Sequence, residues 1–112
     1  MPYIVTMYTF IETKLFTRLV QEYLPDQEYA ELQSVLMANP EAGQVFPGSG
    51  GVRKLRWRAP GRGKRGGYRV IYFVKSTSRV FWMLTMYPKS VRDDIPAQVL
   101  RRIREEVEDE SE

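Results

Sequence analysis

Along this chain the spacing of apolar positions changes from a period near four to a period of two, and back again. Residues 3 to 7, YIVTM, are short and β-prone, which predicts a first strand. Thr9-Phe-Ile-Glu12 then matches a capping box, the pairing of hydroxyl and carboxylate that satisfies the free amides opening a helix. Behind it Ile11, Leu15, Leu19 and Tyr23 recur every four residues, with Phe16 and Val20 widening the stripe, so the spacing predicts a helix lying on a core. Pro25 ends it and Asp26 is placed to cap a second helix, whose inward face is Tyr29, Leu32, Leu36 and Met37. Asn39-Pro40 stops that helix, because the residue before a proline is pushed out of the α region. Two helices joined by so short a turn are expected to form an antiparallel hairpin, and residues 41 to 51, EAGQVFPGSGG, read as connection.

From residue 52 the alternation is that of strands. In VRKLRWR, Arg53, Leu55 and Trp57 face one way and Lys54, Arg56 and Arg58 the other. YRVIYFV at 68 to 74 is apolar or aromatic almost throughout, as a strand covered on both faces must be, and RVFWMLTMY at 79 to 87 reads the same way. The polar turn KSTS between them predicts a hairpin. A last helix is expected near Asp94, with Pro96 tolerated in its first turn and Val99, Leu100 and Ile103 facing the core. The predicted order is β-α-α-β-β-β-α: an α+β fold with a small, mostly antiparallel sheet packed against an N-terminal helical hairpin.

At 112 residues and 43% apolar content the chain supports one core, so residues 1–112 are expected to be a single domain, with 105–112 a solvated or frayed acidic end. No apolar run approaches the roughly 18 residues that suggest a membrane span, and MPYIVTMYTF lacks the basic start of a signal peptide. A soluble, cytoplasmic protein is expected. There is no cysteine, which removes disulfides and thiolate chemistry, and no histidine, which removes the usual general base and the commonest metal ligand. Acid-base chemistry, if present, falls to Lys, Arg, Tyr or a carboxylate.

Charge sharpens this picture. The formal net charge is only +3, yet Glu105, Glu106, Glu108, Asp109, Glu110 and Glu112 hold 6 of the 14 acids. Without them the body carries 17 cations against 8 acids, a balance of +9, which points to an anionic partner. The segment from Arg53 to Arg69, RKLRWRAPGRGKRGGYR, contains eight cations and no acid. Charge runs are most often solvated surface, but here three cations share one strand face and another opens the next strand. A phosphodiester backbone is the partner that best relieves such repulsion. Gly61, Gly63, Gly66 and Gly67 let backbone approach phosphates, while the absence of G-x-x-x-x-G-K followed by Ser or Thr argues against nucleotide triphosphate hydrolysis. Arg58, Arg62, Lys64 and Arg65 are therefore candidate RNA-binding residues. Tyr87, beside Pro88-Lys89 at a strand end, is a candidate base-stacking ring, whereas Trp57, Tyr68, Tyr72, Phe73 and Trp82 read first as core.

The ordered set of a helical hairpin in YLPDQEYAELQSVLMANPEAG, a glycine turn in GSGGVRKLR, the loop KRGGYRVIY and the strand end LTMYPKSVRDDI resembles the RelE/ParE toxin superfamily, in particular the HigB-like branch of RelE toxins. The resemblance covers nearly the whole chain. It implies a ribosome-dependent mRNA interferase, neutralised by an antitoxin that commonly carries a helix-turn-helix DNA-binding domain, with the complex repressing its own operator. It also implies catalytic roles for Lys54 and Arg56 on the RKLRW strand, Arg69 in GGYR and Lys89 in YPKS. RelE itself has an arginine after that last lysine, where this chain has Ser90, and a tyrosine in its final helical segment that has no counterpart among Asp94 to Val99. Tyr87, Lys64 or Arg65 is expected to substitute, with the Gly/Lys/Arg loop preferred.

A mechanism without histidine follows. Lys54, expected to be crowded by Arg56, Arg58 and Arg69, is the candidate base for the attacking 2′-hydroxyl. Arg56 and Arg69 present guanidinium forks to the phosphorane, and Lys89 binds phosphate or protonates the departing 5′-oxygen. No metal or other cofactor is required, since the adjacent acids Asp93 and Asp94 are explained by capping. Two other readings compete: a ParE-like toxin that inhibits gyrase without nuclease activity, and a non-catalytic nucleic-acid-binding module in which the same cations only hold phosphates.

Overall fold

The computed structural model describes residues 7–58, 67–75, 77–90 and 95–110. Its elements are β1 (Thr9–Glu12), α1 (Lys14–Tyr23), α2 (Asp26–Ala38), β2 (Gln44–Val45), β3 (Arg53–Trp57), β4 (Tyr68–Lys75), β5 (Val80–Pro88) and α3 (Ala97–Glu110). They build a five-stranded sheet in the order β1-β5-β4-β3-β2, antiparallel throughout except where β1 runs parallel to β5. The expected α+β architecture is therefore present, with one additional short strand.

The sheet is covered on both sides. On one face Phe16 and Val20 from α1, its C-cap Leu24, and Leu32 and Leu36 from α2 pack with Trp57, Val70, Tyr72, Phe81, Met83 and Met86. On the other, Leu100 of α3 joins Val52, Ile71, Phe73, Trp82 and Leu84. This is why β4 and β5 are apolar at successive positions: neighbouring side chains enter different cores.

Four expectations change in detail. First, residues 3–6 of the strand expected at 3 to 7 lie outside the described residues; Met7 is exposed coil, and the first strand among the described residues is Thr9–Glu12. Second, the capping box at Thr9-x-x-Glu12 is not used. Thr13 is the N-cap, its hydroxyl accepting from the Phe16 amide at 2.9 Å, and Ile11 packs from β1 against the second core. The four-residue stripe shifts accordingly, leaving Leu15 43% exposed. The Glu12 carboxylate instead accepts hydrogen bonds from Thr17 Oγ1 and the Tyr29 hydroxyl, tying β1 to both helices.

Third, Pro25 occupies the N-cap of α2 and Asp26 lies inside the first turn, where its charge interacts favourably with the positive end of the helix dipole; Met37 points outward. Fourth, residues 41 to 51 are more than connection. Gln44 and Val45 pair with Lys54 and Arg53, and Gly48, Gly50 and Gly51 turn the chain at positive φ around buried Ser49. α3 begins at Ala97, just after Pro96; Asp94 lies outside the described residues. The helix carries the acidic segment as far as Glu110.

Candidate active site

Strand register gathers the cations. β3 pairs antiparallel with β4 so that Arg56 stands directly opposite Arg69, and β4 pairs with β5 so that Arg69 stands directly opposite Tyr87. These three positions form one row across three strands, on the face that α3 covers further along. Like charges placed directly opposite each other destabilise a sheet, and an anion seated between them reverses the sign of that interaction.

The row reaches that face because β5 is irregular. Ile71 pairs with Thr85 and Tyr72 with Met83, so Leu84 is an extra residue, a β-bulge. Before the bulge Trp82 and Leu84 enter the α3 core; after it Met86 enters the hairpin core and Tyr87 the α3 core. An unbulged strand would send Tyr87 to the opposite face from Arg69.

A cleft of about 330 Å³ opens where β3 ends, β4 begins and β5 ends, lined by Arg56, Trp57, Arg58, Gly67, Tyr68, Arg69 and Lys89. The Lys89 amide donates to the Gly67 carbonyl at 2.9 Å, which fastens the end of β5 beside the start of β4. Arg58 and Lys89 are exposed at the rim, and Trp57 is buried in the hairpin core. Lys54 does not line this cleft. It lies with Ala42, Gln44, Leu55 and Arg56 around an adjoining hollow of about 300 Å³, its Nζ 5.2 Å from the centre of the Phe46 ring. Arg56 is thus the wall common to both. Lys54 and Arg56 share a strand face and stand roughly 6.8 Å apart along it.

Of the expected site residues, the structure brings together Arg56, Arg58, Arg69 and Lys89 and places Lys54 one step away. Tyr87 is half-buried, with its hydroxyl oxygen shielded from solvent and its ring against the α3 core. Arg62, Lys64 and Arg65 lie outside the described residues. Arg53, the first cation of the basic run, serves the fold. Its guanidinium donates to the Gly43 carbonyl at 2.7 Å and the Glu41 carbonyl at 3.2 Å, and pairs with the Glu41 carboxylate at 3.4 Å.

Sequence reasoning placed Gly67 among the phosphate-approaching glycines but read Tyr68 as core and not as a cleft residue. Its place between the glycine-rich loop and Arg69 was the available signal. Tyr68 stands at the cleft with its ring 5.1 Å from that of Tyr23. Among the described residues, no group of three or more acidic side chains is placed to hold a metal ion, and no helix is long and apolar enough to cross a membrane.

Comparison with known proteins decides the family. The model of the family described as the RelE toxin of the RelE/RelB toxin-antitoxin system matches residues 9–109. The chain belongs to the RelE toxin family. Solved RelE structures share its fold. The E. coli toxin RelE in the free state, carrying two arginine-to-alanine substitutions, superposes with a TM-score of 0.58 at 15% identity, over 88% of this chain and 98% of that one. RelE in an archaeal RelE-RelB complex from Pyrococcus horikoshii OT3 gives 0.53 at 22% identity, over 78% of this chain and 100% of that one. RelE in the intact E. coli RelBE toxin-antitoxin complex gives 0.53 at 19% identity, over 77% and 100%. In this RelE-family chain the cleft described above lies within the matched region.

Proposed function

We propose that this chain is the toxin of a type II toxin-antitoxin system, of the HigB-like branch, and a ribosome-dependent endoribonuclease that cleaves translated mRNA in the cytoplasm. Residues 1–112 would act as one toxin domain. The observation that carries the reading is the pairing of Arg56 with Arg69 in the wall of a cleft whose rim holds Arg58 and Lys89. Such a site suits a phosphodiester: two guanidinium forks to grip the equatorial oxygens as charge builds on the phosphorane, and an ammonium near the leaving oxygen.

In this mechanism the 2′-oxygen attacks the adjacent phosphorus and the bond to the 5′-oxygen breaks, giving a cyclic phosphate and a free 5′-hydroxyl. Lys54, on the far side of Arg56 from Lys89, accepts the 2′-hydroxyl proton, and Lys89 supplies one to the 5′-oxygen. No metal takes part. Weak acid-base groups of this kind require the message to be held in line for attack, which is the contribution expected of the ribosome. The antitoxin partner, expected to carry a helix-turn-helix DNA-binding domain, would neutralise the toxin and carry the complex to operator DNA.

Inducing the protein in bacteria and mapping 5′ ends of cellular mRNA, with translation running and with it blocked, tests the reading. Cuts inside reading frames that vanish when translation stops, and that are lost in Arg69→Ala, are expected. Intact messages accompanied by DNA breaks would overturn it in favour of gyrase inhibition. Binding to RNA that weakens in Arg69→Ala, without cleavage by either form, would leave only a binding module.

A further inference from the structure

The carbonyl of the extra residue in β5 is engaged by one side chain from the start of α1. The Thr13 hydroxyl donates to the Leu84 carbonyl at 2.8 Å and at the same time accepts from the Phe16 amide at 2.9 Å. The Thr13 amide donates to the Met83 carbonyl at 3.1 Å, one residue before the bulge. Parallel pairing of β1 with β5 ends at Glu12 and Met83, so Thr13 is where β1 leaves the sheet, α1 begins and the bulge forms. A bulged residue loses its place in the ladder, and the carbonyl it frees must find another donor. Here that donor is Thr13.

We infer that Thr13 is a positioning residue for the cleft: by holding the Leu84 bulge it sets the phase of β5, and so decides that Tyr87 rather than Met86 shares a face with Arg69 and that Lys89 reaches the cleft rim. The bulge separates two parts of one strand. From Val80 to Met83 the strand is held between β1 and β4, whereas from Thr85 to Pro88 it pairs with β4 alone among the described residues. With regular pairing from Met83 onward, Tyr87 would point toward the hairpin core and Met86 toward Arg69. Met86 is 1% exposed in the hairpin core, so the observed phase also satisfies packing, and the hydroxyl clamp and the apolar pattern agree.

The role in RNA cleavage rests on the function proposed above; the role in strand phase does not. The two activities of the hydroxyl can be separated by substitution. Thr13→Asp retains an acceptor for the Phe16 amide and caps helices well, but its carboxylate has no proton to give Leu84. Thr13→Ser retains both bonds. Each variant, purified as the full chain, is read by circular dichroism for helix content, by NMR for cross-strand NOEs between Arg69 and Tyr87 and between Val70 and Met86, and by the mRNA 5′-end mapping described above.

Thr13→Ser is expected to match the wild type in all three. Thr13→Asp is expected to keep its helices, lose or shift the Arg69 to Tyr87 NOEs, and cut at least tenfold less. Should Thr13→Asp fail to fold, Thr13→Val, which loses both bonds, is read at lower temperature by the same NOEs, with its helix content recorded separately. Retention of the Arg69 to Tyr87 NOEs in the folded variant overturns the inference, whatever happens to cleavage. If the wild type cuts no message, the proposed function fails, while the NOEs still decide the role of Thr13.

Discussion

Two tyrosine hydroxyls are committed to holding backbone and strand in place, and both are kept protonated by where they sit. The Tyr72 hydroxyl donates to the Pro40 carbonyl at 2.9 Å and accepts from the Gly43 amide at 3.0 Å, anchoring the chain between α2 and β2. Burial raises its pKa, and the Gly43 amide and the Arg53 charge only partly offset this. Burial is also the main cause at Tyr29, reinforced by the hydrogen bond to Glu12 and by that carboxylate's charge, and the pKa is well above the ordinary value. Because the fold holds these protons more tightly than the unfolded chain, their contribution is whole below the unfolded tyrosine value of about 10 and is lost as pH rises through the raised folded values. Denaturant midpoints measured on either side of about pH 10 should fall as pH rises. In Tyr29→Phe/Tyr72→Phe the fall should be flatter and the neutral stability lower. An equally steep fall in the double variant would place the alkaline sensitivity elsewhere.

Elements show where a sequence ends as a guide and three-dimensional neighbours take over. β3, β4 and β5 were legible because alternation and unbroken apolar runs are local signals, and the hairpin was legible because Phe16, Val20, Leu32 and Leu36 keep helical spacing. The start of α1 was not. Thr9 and Thr13 both precede apolar helix-compatible residues, and only pairing of Thr9 to Glu12 with Val80 to Met83 assigns the first of them to a strand. β2 is two residues long and exists only as partner to Arg53 and Lys54. Arg56 and Arg58 were legible for the same reason as β3, their alternation along one face, and Arg69 as the cation that opens the next strand, whereas Lys89 came only with the family resemblance. The Arg56, Arg69, Tyr87 row was not, since it depends on inter-strand register and on an unpaired Leu84. A direct check on the helix start follows. Thr13→Ala should cost about 1 kcal/mol or somewhat more, as loss of an N-cap does, whereas Thr9→Ala, in an exposed strand position, should stay within about 0.5 kcal/mol. Equal losses in chemical denaturation would return the helix start to Thr9.

At the scale of the whole molecule, opposite charges lie at opposite ends of the sheet. The cleft occupies the end of β4 at Tyr68, while the Glu108 carboxylate pairs with Lys75, at the other end of that strand, at 3.2 Å and with Arg104 at 3.4 Å. β4 is eight residues long, so these ends are separated by about 23 Å, nearly three Debye lengths at physiological ionic strength. α3 runs between them, with Arg104 stacked 5.2 Å over Phe73 on the way. Glu108 therefore braces the end of the sheet, Glu105 pairs within the helix with Arg101, and the potential at the cleft is left to its arginines and Lys89. Salt titrations of single-stranded RNA binding distinguish the two ends. Arg56→Gln should reduce the slope of log affinity against log salt by about 0.7, the loss of one phosphate contact to a single strand. Glu108→Gln should leave that slope and the affinity unchanged while lowering stability by about 1 kcal/mol, because its ion pairs with Lys75 and Arg104 are only partly exposed. A rise in affinity of more than about threefold in Glu108→Gln, fading with salt, would mean instead that the helix acids screen the cleft across the molecule.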